Sequence, residues 1–228
     1  MKVFYPKCAV ALLAVMSAAT AIAQGNPQIL NQLDSASSKF HAAQANVQYD
    51  NYTRVVNDHE IENGSIYIER EASGESMGAV FFDNGSKTPS KVVNYGGGTL
   101  QLYTPGTKQV DIFKAGANQA KYESFLTLGF GGSGKDLQKE WTITDQGPET
   151  IDGTKTEKLD LVSKEQSVKN MFSHVTIWVD PVRGVSLKQI FFQPNGDSRT
   201  AIYTNVRLLA KVDKKPYAID PKATKVQH

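Results

Sequence analysis

The chain has 228 residues, with 25 Lys+Arg against 23 Asp+Glu, a formal charge of +2 and a single cysteine, Cys8. Near-neutrality argues against nucleic acid or an anionic membrane surface as the main partner, since both want a basic excess. One cysteine excludes a disulfide framework and a cysteine metal site, and about 200 residues without a linker or charge block suit one domain.

In chain order, Lys2 and Lys7 precede the apolar run Cys8–Met16, and small residues then end at Ala21-Ile22-Ala23. This is the pattern of a secretory signal peptide with an A-x-A cleavage site, so residues 1–23 are expected to be removed and the mature chain to start at Gln24. Lys2, Lys7 and Cys8 leave with the leader, and residues 24–228 keep 23 positive and 23 negative charges and no thiol. The apolar run is about half the roughly 20 residues that a bilayer-spanning helix requires, and no second run follows. Cys8 precedes the apolar region rather than following it, which argues against lipidation. The expectation is an exported, unlipidated monomer.

After the leader, Asn26 suits an N-cap and Pro27 the first helical position. Ile29, Leu30, Leu33, Ala36 and Phe40 then recur at three- and four-residue steps, predicting an amphipathic helix. From about Ala45 the period changes to two. Strands are predicted near 65–70, 77–82, 91–94, 99–103, 108–113, 141–146, 156–162, 174–180, 186–193 and 199–206, with a further one at 207–211. The breaks between them are turn-rich: Glu62-Asn63-Gly64, Asn84-Gly85, Gly96-Gly97-Gly98, Pro105-Gly106, Asp152-Gly153 and Asn195-Gly196. Many short strands on close turns imply a strongly curved or partly closed antiparallel meander. Asn118–Leu128 interrupts the series with Tyr122, Phe125, Leu126 and Leu128 at helical spacing, and Ser167–Phe172 predicts a third, short helical turn. Helices over a curved sheet either complete a solid core or cover an apolar hollow, and periodicity leaves both open.

Catalytic patterns are weak. Gly74-Glu-Ser76-Met-Gly78 matches the G-x-S-x-G nucleophile elbow, but a strand-like segment follows where the elbow needs a helix, so a turn between strands is expected. A serine esterase using Ser76 is kept as the alternative from another class. Gly129–Asp136 is similar to a phosphate-binding loop with Asp136 in place of the magnesium-holding hydroxyl, and reads as a helix terminator and flexible loop. His41, His59, His174 and His228 lack metal-ligand spacing, and pairs such as Glu69/Glu71 look solvated. No catalytic residue, metal site or cofactor is expected. Asn63-Gly-Ser65 and Asn84-Gly-Ser86 match glycosylation sequons and read more simply as hairpin turns.

One residue stands apart. In Gly64–Arg70, alternation places Ile66, Ile68 and Arg70 on one face and Tyr67 and Glu69 on the other. If the isoleucines face the core, Arg70 points the same way and requires acceptors, such as backbone carbonyls at the end of a covering helix. The alternative is a solvated arginine at the strand's end.

Four segments, in order, resemble the LolA-type periplasmic carriers of outer-membrane lipoproteins: Ser38-Lys39-Phe40-His41-Ala42-Ala43; Gly64-Ser65-Ile66-Tyr67-Ile68-Glu69-Arg70; Thr99-Leu100-Gln101-Leu102-Tyr103-Thr104-Pro105; and Pro216-Tyr217 through Pro221 to Val226. Glu71 stands where the family has proline. The resemblance implies a strongly curved, half-open antiparallel β-barrel of about 10–11 strands, with a lid of two or three helices over an apolar cavity. Residues 24–228 would form the single carrier domain. It also implies a protein that is not an enzyme, holds the acyl chains of lipoproteins, takes them from an inner-membrane ABC transporter complex and passes them to an outer-membrane acceptor lipoprotein. By position Arg70 matches the family's lid-latching arginine. Ile29, Leu33, Ile66, Ile68, Leu100, Leu102, Phe125 and Leu126 are the candidate cavity or lid contacts. A carrier or sensor of another lipid on the same fold is the nearer alternative.

Overall fold

The computed structural model describes residues 26–83, 85–114, 116 and 128–228. The leader, Phe125, Leu126 and the predicted helix before Leu128 lie outside them. Among the described residues, helix α1 (Pro27–Ser37) precedes strands β1 (Ala42–Thr53), β2 (Asp58–Glu71), β3 (Gly74–Phe82), β4 (Pro89–Gly96), β5 (Thr99–Thr104) and β6 (Gln109–Lys114). Helix α2 (Gly134–Glu140), β7 (Trp141–Ile151), β8 (Thr154–Ser163), α3 (Gln166–Lys169), β9 (His174–Asp180), β10 (Val185–Phe192), β11 (Ser198–Leu209) and β12 (Thr224–Gln227) follow.

All twelve strands join one sheet in the order β12-β6-β5-β4-β3-β2-β1-β11-β10-β9-β8-β7. Only the β6–β12 ladder is parallel. The outermost strands β12 and β7 do not pair with each other, so the sheet is a half-open barrel under helices, the architecture expected from the sequence.

Alternation gives the sheet two buried faces. On the inner face, Ile66 and Ile68 pack with Ala43, Ala45 and Val47 of β1, Phe81 of β3, and Phe40, Phe130 and Tyr203. Farther along the same face, Ile29, Leu30 and Leu33 of α1 pack on Trp141, Ile143, Leu159, Leu161, Val175, Ile177 and Val179. Burying a leucine or isoleucine contributes about 1.5–3 kcal/mol, enough for these residues to dock an 11-residue helix that would not hold alone in water. Asn26 caps α1 as predicted, its side chain accepting from the Gln28 amide at 3.0 Å. On the outer face the C-terminal segment lays Val212, Tyr217 and Ala223 over Tyr67, Val80, Val92, Tyr103, Val110 and Ile112. Gly78 makes room there, since a Cβ at that position would lie 2.4 Å from the Tyr217 ring.

Several sequence-based expectations are corrected. Glu62-Asn63-Gly64 is not a turn but the middle of β2, and the chain reverses at 54–57 instead. Gly64 serves close packing, because a Cβ there would lie 2.3 Å from the Val80 carbonyl oxygen. Residues 207–209 continue β11 past an irregularity in its pairing with β1, rather than forming a separate strand. The expected loop Gly129–Asp136 runs into α2, and β12 adds a strand beyond the ten or eleven expected. Glu69 is not solvated: it is 8% exposed, with the Lys214 ammonium 3.8 Å away.

Candidate functional site

The site is built where α1 ends, β2 ends and the glycine-rich segment 128–134 crosses the inner face. Arg70 is the penultimate residue of β2, and its backbone N–H donates to the His41 carbonyl at 2.8 Å. Its guanidinium forks: Nη1 donates to the carbonyl of Ser37, the last residue of α1, at 2.8 Å, and Nη2 to the carbonyl of Gly131 at 2.8 Å. Nε donates to Glu75 Oε1 at 2.7 Å, and the group lies 5.5 Å from the Phe40 ring centre. The side chain is 36% exposed, so it is neither buried nor free: five fixed N–H donors let one residue bind three elements at once.

The crossing segment is held from below. Phe130 bridges to Val185, Gly131 N–H donates to the Gly184 carbonyl, and Ser186 N–H donates to the Gly129 carbonyl. Gln189 donates its side-chain amide to the Leu128 carbonyl, and its oxygen accepts from the Tyr203 hydroxyl. Gly131 sits at φ +75°, where a Cβ would meet the Phe40 ring at 2.4 Å, and a Cβ on Gly134 would meet the Leu30 carbonyl oxygen at 2.3 Å. Only glycine allows the segment this near to α1. Ser133 then caps α2, accepting from the Asp136 N–H at 3.0 Å.

Under α1 and α2 lies a cavity of about 240 Å³. Leu33, Leu128, Leu137, Trp141, Ile177 and Val179 supply its apolar wall, and Arg70, Glu75, Ser133, Asp136 and Glu140 its polar edge. Of the residues nominated from sequence, Leu33 and Arg70 line it. Ile29, Ile66 and Ile68 are packed in the neighbouring core. Leu100 and Leu102 lie half-buried on β5, away from the cavity wall. Trp141, Ile177, Val179 and Glu75 belong to the wall without having been nominated.

Beside the wall, Glu157 pairs in register with Val179. Burial, reinforced by the neighbouring Asp145 carboxyl, pushes the Glu157 carboxyl from 4.5 up to about 7. The folded state therefore holds a proton that the unfolded chain releases above its own lower pKa, and stability falls as pH rises between about 4.5 and 7. The expected outcome is a higher unfolding midpoint at pH 5 than at pH 8, with Glu157→Gln flattening that slope in thermal melts.

Ser76 lies within β3 rather than on a strand-to-helix turn, its hydroxyl 3.1 Å from the Glu71 carboxylate and 3.3 Å from the Glu69 carbonyl. Among the described residues no three His, Cys, Asp or Glu side chains cluster to hold a metal, and no helix is long and apolar enough to cross a membrane.

No family model matches the sequence, and no curated protein matches it by sequence. Solved structures do match. An uncharacterized conserved protein from Thermus thermophilus superposes with a TM-score of 0.56 at 13% identity, over 89% of this chain and 98% of that one. MucB superposes with a TM-score of 0.53 at 13% identity over 87% of this chain, which spans 64% of MucB. The MucA/MucB complex from Pseudomonas aeruginosa gives 0.51 at 14% identity, over 87% of this chain and 62% of that one. At such identities the likeness lies in the fold: this chain shares with the Thermus protein and MucB a half-open sheet covered by helices.

Proposed function

We propose that the chain is an exported, non-enzymatic carrier of acylated molecules. Residues 1–23 direct export, and residues 24–228 act in the periplasm as one carrier domain. It takes lipoproteins from an inner-membrane ABC transporter complex and hands them to an outer-membrane acceptor. The observation that carries this reading is the apolar cavity whose cover is tied to the sheet by Arg70. Acyl chains in water cost about 0.8 kcal/mol per exposed CH₂, so their crossing demands a sheath, and handover demands one that opens. Two or three chains exceed 240 Å³, so loading displaces α1 and the 128–134 segment and breaks the Arg70 fork. That makes Arg70 the latch and Ile29, Leu33, Ile66 and Ile68 the surface uncovered for cargo, with Leu100 and Leu102, already half-exposed on β5, as further contacts.

The test is to extract purified protein for lipid and to incubate it with inner-membrane vesicles loaded with lipoprotein. Co-purifying acyl chains and lipoprotein released into the soluble fraction are expected. An empty protein that releases nothing would remove the reading. The fold shared with MucB, solved in complex with MucA(peri), favours a second reading in which the cavity senses a lipid and the outer surface grips a partner. Bound lipid without release from vesicles would select it. Ester hydrolysis lost in Ser76→Ala would instead revive the esterase.

A further inference from the structure

The end of the β2–β3 hairpin is gripped from both sides of the sheet. No residue from Arg70 to Ser76 is buried, so polar contacts hold this end rather than a core of its own. Alternation sends neighbouring side chains to opposite faces. Arg70 and its ladder partner Glu75 reach the inner face and the lid, whereas Glu69, Glu71 and Ser76 reach the outer one. There Lys214 Nζ donates to Glu71 Oε1 at 2.5 Å and stands 3.8 Å from Glu69 Oε2. The Ser76 hydroxyl donates to the same Glu71 oxygen at 3.1 Å. The Lys214 ammonium holds the Glu71 carboxyl below its usual range, and Glu71 in turn raises Lys214.

Lys214 belongs to the C-terminal strap, whose backbone is fixed on either side of it. Val212 and Tyr217 are buried in the outer core, and the Asn94 side-chain amide donates to the Tyr217 carbonyl at 3.2 Å. A firmly seated strap thus holds a hairpin end that has no core. A proline at position 71, the residue of the LolA-type carriers, would leave Lys214 only Glu69. We infer that Lys214 and Glu71 are positioning residues for Arg70: the strap clasps the hairpin end from outside and so keeps the guanidinium aligned with the Ser37 and Gly131 carbonyls, and undocking of the strap slackens the lid on the other face. The inference rests on the carrier reading for what the lid retains, and adds to it an outer-face control of release.

Amide hydrogen exchange tests this, because the Gly131 N–H, bonded to the Gly184 carbonyl, lies in the roof on the face opposite Lys214. Lys214→Met is expected to speed exchange of that amide about fivefold, the scale of one partly exposed ion pair, and Glu71→Gln to do the same. Lys214→Arg keeps the cation and is expected to stay within about twofold of wild type. In an Arg70→Leu background, where the fork is already absent, Lys214→Met is expected to change the Gly131 amide less than about twofold. A salt bridge that only stabilised the fold would speed exchange equally in both backgrounds. That result, or faster exchange confined to the hairpin end, or an unchanged Gly131 amide in both Lys214→Met and Glu71→Gln, would overturn the inference. The measurement needs no cargo, so a protein that shows this coupling but releases no lipoprotein would lose the carrier reading alone.

Discussion

Arg70→Leu is expected to fold, to melt about 4–8 °C below wild type, and to hold cargo that it fails to give up. The stability cost is moderate: neither carbonyl is orphaned, and only the Glu75 carboxylate, 19% exposed, loses its partner. Ser37 O still accepts from the Phe40 N–H at 3.2 Å, and Gly131 O from the Ser37 hydroxyl at 2.6 Å. What is lost is a set of charge-assisted bonds on a side chain 36% exposed, about 2 kcal/mol in all, and a domain of this size loses about 2–4 °C per kcal/mol. The same 2 kcal/mol acts on the transport equilibrium. If the fork exists only in the closed, empty form, deleting it raises that form relative to the loaded one and tightens cargo binding about thirtyfold. Transfer to the acceptor then slows while loading persists. Arg70→Lys is expected to recover little, because one ammonium cannot span two carbonyls and a carboxylate. Melting curves and a two-vesicle transfer assay read the two quantities separately. A fall of more than about 15 °C with normal transfer would make Arg70 a structural residue.

How much of this was legible follows from where each signal resides. The β2 alternation carries its own reading: Ile66 and Ile68 on one face and Tyr67 on the other needed no tertiary information, and neither did Asn26 as a cap. Glu75 was within reach but unread. A two-residue reversal at 72–73 sets Glu75 opposite Arg70 in the ladder, and that register can be counted from the sequence once the hairpin is placed. The α2 helix carried only a faint signal: seven residues opening on glycine with one large apolar side chain, Leu137, announced by the Ser133-x-x-Asp136 cap spacing. Strand β12 carried none. Thr224–Gln227 has one apolar residue and is a strand because β6 offers it an edge. The cavity wall was illegible for a related reason. Periodicity marks Trp141, Ile177 and Val179 as inward-facing, but which part of the sheet α1 covers is decided by packing.

A large stability loss is expected from Phe130→Ala. Phe130 is 2% exposed, its ring meets Tyr203 edge-on at 4.9 Å, and it packs among Phe40, Ile66, Ile68 and Val185. Removing it leaves a cavity among side chains fixed by β-strands that cannot collapse inward, at about 3–5 kcal/mol, or roughly 10 °C of melting temperature. Its place in the chain gives the substitution a second effect. Phe130 is the only large apolar anchor between Gly129 and Gly134, and the residue after it presents the carbonyl that receives Arg70. Loosening it therefore loosens the latch. Tyr217→Ala is the matched control: it deletes an aromatic ring 8% exposed, packed on Tyr67 at 4.9 Å, but on the outer face. Both variants are expected to lose comparable stability, whereas only Phe130→Ala is expected to alter cargo transfer at temperatures where both remain folded. Equal effects on transfer would mean that the roof segment has no role beyond packing.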